Sequence, residues 1–352
     1  MAIFVLMSLL GVVCFGVGPS ILLAQAQPGG VDRLTPDDVA KAVAALKATF
    51  VRPEALSDQE MARATLQGLL DRLAPEASLL SGSAGAAGAS PFYSEDFAGK
   101  TGYLRVGPLT EENIAKTKQA LKDWSGKDLS AVVLDLRGTP ASSDFEAGSE
   151  LEGLFCAKGT ELFSLRAGKA APEGDSTGQA RTFSAGADPL FTGILVVLVD
   201  GETAEAPEAV AAGLRTTAKA LVVGDRTAGR AFEYRDFPLD GAVLRVAVAQ
   251  VILPDGKEPG EYGLKPDIDV SLGTASKDTV MRSISTKGID SVIEEHDRPH
   301  LNEAALVAQS SPEVDELEAE AAGKKPQEGL IDRQLERALD LVTSIAIFKA
   351  KG

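Results

Sequence analysis

The period of apolar positions changes several times along the chain, and each change marks an element. Between Thr35 and Leu80 apolar residues recur every three or four positions. Val39, Val43, Leu46 and Phe50 lie on one stripe and Met61, Leu66, Leu69, Leu70 and Leu73 on another, which predicts amphipathic helices. Both have start signals. Thr35-Pro36-Asp37-Asp38 puts a hydroxyl cap, a first-turn proline and two acids at the positive helix end, and Ser57 with Glu60 forms a capping box. From Ser81 to Lys100 the period is lost in favour of Gly, Ala and Ser, which reads as a flexible connector carrying an aromatic patch at Phe92, Tyr93 and Phe97.

From Thr101 short apolar runs alternate with helical stretches. Gly102 to Val106, Ala131 to Leu136, Glu161 to Arg166, Ile194 to Val199 and Ala220 to Val223 read as strands. Glu111 to Trp124, Phe145 to Phe155 and Ala206 to Thr217 read as helices between them, and Ala167 to Ala187 as a loop. Strand-like segments at Phe232 to Phe237 and Ala242 to Leu253 close this region. The alternation predicts an α/β core, a sheet covered by helices. Beyond Thr274 the chain is polar and helical in patches, with an acidic run from Glu313 to Glu320 and a last amphipathic helix from Ile331 to Phe348. The expected organisation is 1–26, 31–80 (helical), 81–100 (connector), 101–272 (α/β core) and 273–352 (partly helical tail).

The first segment decides the compartment. No charged side chain precedes Gln27, and a dense apolar run leads into Ala24-Gln25-Ala26, the small-x-small pattern of an export signal cleaved after Ala26, leaving about 326 residues. Kept uncleaved, the same run is an anchor of roughly 20 apolar residues. Either way an exported protein is expected, periplasmic or extracellular. Cleavage removes Cys14 and leaves Cys156 without a disulfide partner; beside Phe155 it reads as a small buried hydrophobe.

Composition narrows the chemistry. A net charge of −16 argues against nucleic acid, which demands clustered Lys and Arg. With two histidines, imidazole triads and zinc sites are poorly served; His296 and His300 are four apart, but Pro299 interrupts the helix that a metal pair needs. Cofactors and metals are not expected.

Five blocks carry a resemblance. Tyr103-Leu104-Arg105-Val106, Leu134-Asp135-Leu136-Arg137, Ile194 to Asp200, Leu221 to Gly229 and Tyr262 to Ile268 are similar, in order and spacing, to the core of the C-terminal processing (tail-specific) serine peptidases. The likeness extends upstream to Phe50 to Leu80 and downstream to Asp332 to Leu341. It implies a crotonase-like α/β core, preceded by a small helical region and followed by a helical tail. It also implies a PDZ domain before the core, where this chain has only Ser81 to Thr101, so a PDZ-less member is expected.

The resemblance implies a Ser nucleophile at the start of the helix after the central strand and a Lys base after the following Gly-rich turn. The matching run here is Glu205-Ala206-Pro207-Glu208, so the nucleophile position is Glu205, and the ungapped stretch to Gly229 puts the base position at Arg230. Arginine stays protonated and cannot serve as that base. The oxyanion-equivalent positions fall on Ala141, Ser142 and Ala206, with the family's glycine pair replaced. Loss of one oxyanion donor costs on the order of 10²- to 10³-fold in rate, and loss of nucleophile and base leaves only residual catalysis.

These substitutions predict an inactive member of a proteolytic family, a pseudoenzyme whose cleft binds a peptide or protein C-terminus or a small ligand, or serves as a scaffold. Glu205 and Arg230, placed where a hydroxyl and an amine must touch, are expected to form a fork-shaped ion pair. The alternative is a hydrolase using Glu205 or a nearby hydroxyl, with Thr203 as nucleophile if the helix register slips by two. Asp135 and Arg137 are assigned to the framework.

Overall fold

The computed structural model describes residues 31–81, 90–127, 129–168, 180–260, 262–272, 276–293 and 330–351. The N-terminal apolar segment, Cys14, the histidines and the Glu313 to Glu320 run lie outside them. The chain divides into two compact units, Met1–Gly68 and Leu69–Gly352.

In the first unit, α1 (Pro36–Thr49) starts on the predicted cap: the Thr35 hydroxyl accepts the Asp38 amide, and Asp38 accepts the Thr35 amide in return. A 3₁₀ turn at Pro53–Leu56 leads to α2 (Asp58–Leu73), and Lys47 reaches Asp58 at 2.7 Å. Neither helix buries a residue.

The second unit has two sheets. The strands are β1 (Ala77–Ser81), β2 (Tyr93–Phe97), β3 (Thr101–Arg105), β4 (Ala131–Asp135), β5 (Glu161–Ala167), β6 (Arg181–Ser184), β7 (Ile194–Val199), β8 (Leu221–Gly224), β9 (Phe232–Leu239), β10 (Ala242–Ile252) and β11 (Ile268–Asp269). One sheet runs β11-β8-β7-β4-β3-β2, parallel except for β2 at its edge. The other is antiparallel, β1-β10-β5-β6, with β9 also on β10. The helices are α3 (Glu111–Ser125), α4 (Phe145–Gly153), α5 (Ala206–Thr217), α6 (Lys277–Lys287) and α7 (Arg333–Lys351).

The unbroken apolar runs of β4 and β7 follow from burial on both faces. Leu104, Leu134 and Val197 point to the core shared with α3, α4 and α5, while their neighbours Tyr103, Val133 and Val196 point to a second core with Val280, Ile284, Leu335 and Val342 of α6 and α7. The C-terminal helix thus covers the parallel sheet rather than trailing from it. Three readings of the sequence change. The helical stretch expected to reach Leu80 ends at Leu73 and gives way to β1; the connector contains β2, held because Tyr93 and Phe97 pack on the second core; and the loop from Ala167 to Ala187 contains β6.

Asp135 and Arg137 belong to the framework. The fully buried Arg137 guanidinium is shared by Asp135 (2.7 Å) and Asp332 (2.7 Å) and also donates to Gln334 (2.8 Å). Tyr103 donates to Asp135 at 2.7 Å, and Gln334 reaches on to Asp225 at 2.9 Å, so one polar network ties β3, β4 and β8 to α7. Removing one partner from such a network leaves a buried charge uncompensated. Arg137→Ala, which leaves the Asp135 and Asp332 carboxylates buried without their shared cation, should therefore cost about 3 kcal/mol in denaturant unfolding, while the exposed-pair variant Lys41→Ala should change stability by less than about 0.5 kcal/mol.

A second buried acid has almost no support. Glu152, near the end of α4, accepts one bond from Thr217 (3.2 Å), and its other oxygen has no partner. Burial raises its pKa well above the glutamate range, and the thiol of buried Cys156, 3.2 Å from the same Thr217 hydroxyl, is pushed up to about 11. The neutral acid is favoured in the folded state. Its contribution to stability is fully present below the ordinary glutamate pKa and is lost as pH rises through the raised one. Wild-type stability should decline on that limb, and Glu152→Gln should flatten the decline in unfolding titrations between acid and mildly alkaline pH.

Candidate active-site cleft

The cleft begins where β7 leaves the sheet. Asp200 accepts the amides of Glu202 and Thr203, each at 3.0 Å, and an ion pair with Lys277 at 2.9 Å fixes it. The chain then turns sharply at Glu205, whose φ of 57° and ψ of −128° are rare for a residue with a side chain, before α5 starts with Pro207 in its first turn. Such a conformation costs on the order of 1–3 kcal/mol and persists only where neighbours over-determine it. Here the Glu205 amide donates to the Arg230 carbonyl (3.0 Å) and the Ala206 amide to the Ser142 carbonyl (2.9 Å).

Glu208 holds the opposite wall. Its fully buried carboxylate accepts the Thr227 hydroxyl, the Gly229 amide (2.9 Å) and the Arg230 amide (2.8 Å), and Thr227 in turn accepts the Leu264 amide at 2.7 Å. Gly229 is required in this turn: its φ is 67°, and a Cβ would lie 2.8 Å from the Gly263 nitrogen. Burial raises the Glu208 pKa, and these hydrogen bonds pull it back.

The Glu205 side chain turns into a cleft of about 620 Å³ lined by Ala141, Ser143, Tyr234, Arg235, Asp236 and Arg245. It is only 6% exposed, accepts the Ser143 hydroxyl at 2.9 Å and lies 3.5 Å from the Arg245 guanidinium. Burial raises its pKa; the Ser143 hydrogen bond, then Arg245 and Arg230, pull it down, and Asp236 pushes it up. Arg245 is gripped by Asp236 across the β9–β10 pair through two bonds of 2.8 and 2.9 Å, and its guanidinium lies 5.8 Å from the centre of the Tyr234 ring.

The expected pairing of Glu205 with Arg230 is therefore corrected: among the described residues the ion pair of Glu205 is with Arg245. The Arg230 carbonyl, not its guanidinium, meets Glu205, because the backbone bonds to Glu208 fix the turn and leave the Arg230 side chain exposed. The Ala206 amide is bound to Ser142, and Ala141 lines the cleft. Thr203 is buried, with its hydroxyl against Asp200 at 3.2 Å, so it offers no substitute nucleophile. No group of three His, Cys, Asp or Glu suited to a metal occurs among the described residues. Sequence reasoning missed Ser143, Tyr234, Asp236 and Arg245. One signal was available for the last: Arg245 is the sole charge in the apolar run from Ala242 to Ile252.

A parallel sheet thus delivers a strained strand-to-helix turn to the edge of the cleft. Residues 100–270 match the family model of peptidase family S41. It is 29% identical over 169 residues to a carboxyl-terminal-processing protease of Picosynechococcus, covering 48% of this chain and 38% of the relative. It is 29% identical to the chloroplastic carboxyl-terminal-processing peptidase 3 of Arabidopsis thaliana, covering 49% and 32%, and 26% identical to a carboxy-terminal processing protease of Bacillus subtilis, covering 53% and 38%. The match thus spans well under half the length of these curated relatives. Among solved structures, a photosystem II D1 C-terminal processing protease is 26% identical, with 61% of this chain and 53% of that one covered and a TM-score of 0.41.

The carboxyl of Glu205 should titrate above the ordinary glutamate range in a ¹³C NMR pH titration. Ser143→Ala and Arg245→Ala each remove a group that favours the ionised form, so each should move the titration further up; a downward move in either variant contradicts the geometry.

Proposed function

We propose that this chain is an exported, non-proteolytic S41 protein whose cleft binds a peptide or protein C-terminus. One observation carries the reading. At the strained turn, where the sequence resemblance implies a nucleophilic hydroxyl, the Glu205 carboxylate is held by Ser143 and Arg245, while the neighbouring Ala206 amide is spent on the Ser142 carbonyl. Attack by a carboxylate on a peptide would form an anhydride, and Arg230 stays protonated, so the chemistry of a hydroxyl and a neutral amine is gone. What remains suits recognition: Arg245 lines the cleft, is partly exposed and keeps N–H donors beyond those taken by Asp236 and Glu205, which a ligand carboxylate can accept. The uncharged N-terminal run supports export, as a cleaved signal or an anchor; no described helix is long and apolar enough to cross a membrane.

A second reading has its own observation. The Ser143 hydroxyl donates to a buried carboxylate with a raised pKa, the arrangement of a hydroxyl nucleophile with a carboxylate base. The two readings separate in one set of assays on the mature protein. Unstructured protein substrates should show no turnover above background, and serine-directed probes should leave the chain unlabelled. A peptide with a free C-terminus should bind saturably, about tenfold more weakly to Arg245→Ala and to its own C-terminal amide. Turnover abolished by both Glu205→Gln and Ser143→Ala would establish the second reading instead. The double variant Glu205→Ser with Arg230→Lys tests whether those two positions alone account for the missing proteolysis.

A further inference from the structure

Away from the cleft, the outer faces of α3 and α4 and the segment joining β6 to β7 enclose another cavity, of about 430 Å³. It shares no lining residue with the cleft around Glu205. Its walls present mostly apolar atoms, with Leu154 and Leu190 among them, and it falls in the size range of small-molecule sites, roughly 300–1,000 Å³.

Its charges are arranged unevenly. Four charged side chains line it: Lys118 and Lys122 from α3, Glu150 from α4, and Asp188 from the connecting segment. Lys118 and Glu150 form an ion pair and satisfy each other. Lys122 and Asp188 have no ion-pair partner among the described residues, and both are exposed at the rim, where their charges stay solvated at no cost to the fold. An apolar pocket with one free cation and one free anion is complementary to a small molecule that carries both charges beside an apolar body. A purely anionic ligand would set its charge against Asp188, and a purely cationic one against Lys122.

We propose that this cavity binds a free hydrophobic amino acid, its carboxylate meeting Lys122, its ammonium meeting Asp188, and its side chain resting on Leu154 and Leu190. The site is independent of the reading of the Glu205 cleft, and either can fail without the other.

Isothermal titration of the full chain with L-leucine tests the proposal, with N-acetyl-L-leucine, which lacks the ammonium, and L-leucinamide, which lacks the carboxylate, as comparison ligands. Leucine should bind saturably, and each derivative about tenfold more weakly. Lys122→Ala should weaken leucine about tenfold and leave leucinamide unchanged, while Asp188→Ala should weaken leucine about tenfold and leave N-acetyl-leucine unchanged. Gly186 lines the same cavity, is exposed, and a Cβ there meets no atom within 4 Å, so Gly186→Phe has room to leave the backbone and should abolish binding by bulk, with an unchanged unfolding temperature as the check on the fold. The proposal is overturned by absence of saturable leucine binding, by derivatives that bind as well as leucine, or by binding that survives both Gly186→Phe and the two alanine variants.

Discussion

The cleft rests on one buried carboxylate. Glu208 lies in the first turn of α5, yet its hydrogen bonds all run to the turn after β8: the Thr227 hydroxyl and the amides of Gly229 and Arg230. A carboxylate without solvent is costly unless its lone pairs are filled, and three donors fill them here. The bond therefore has little freedom to slacken. It fixes residue 205, the cap that precedes the same helix, against residue 230 at the end of the turn, and it forces that turn into a path that only glycine can follow at Gly229. Through Thr227 and Leu264 the constraint extends to the segment that follows β10.

This arrangement is indifferent to the chemistry that it holds. The amide of residue 205 and the carbonyl of residue 230 bond through the backbone, so the strained turn forms whether the side chains are a hydroxyl and an amine or, as here, a carboxylate and a guanidinium. The carboxylate then finds partners of its own. It turns toward Ser143 and Arg245, and Arg245 is available in that direction because Asp236 and the face of Tyr234 hold it from the neighbouring strand. The turn thus presents a well-ordered polar cleft.

Much of the scaffold was legible in order along the chain. The strands β3, β4, β7 and β8 announce themselves because a parallel sheet buried on both faces needs near-continuous apolar runs. The capped start of α1 is a local hydrogen-bonding event and was equally plain. By contrast β1, β2 and β6 lie in short, polar or glycine-rich stretches whose extended form comes from pairing with partners far away in sequence, Ala77 with Val246 and Phe163 with Phe183 among them.

By itself, the sequence determined the apolar runs of the parallel sheet and the capped start of α1, because both follow from local pattern. Only the tertiary structure decided what the Glu205 carboxylate touches. Arg245 is forty positions away and reaches the cleft through the pairing of β9 with β10, and Arg230, although adjacent through its backbone, makes no ion pair with Glu205 among the described residues. Side-chain partnership at a buried charge is set by the direction in which the backbone's own hydrogen bonds leave each side chain pointing, and that direction is a property of the assembled sheets rather than of spacing along the chain.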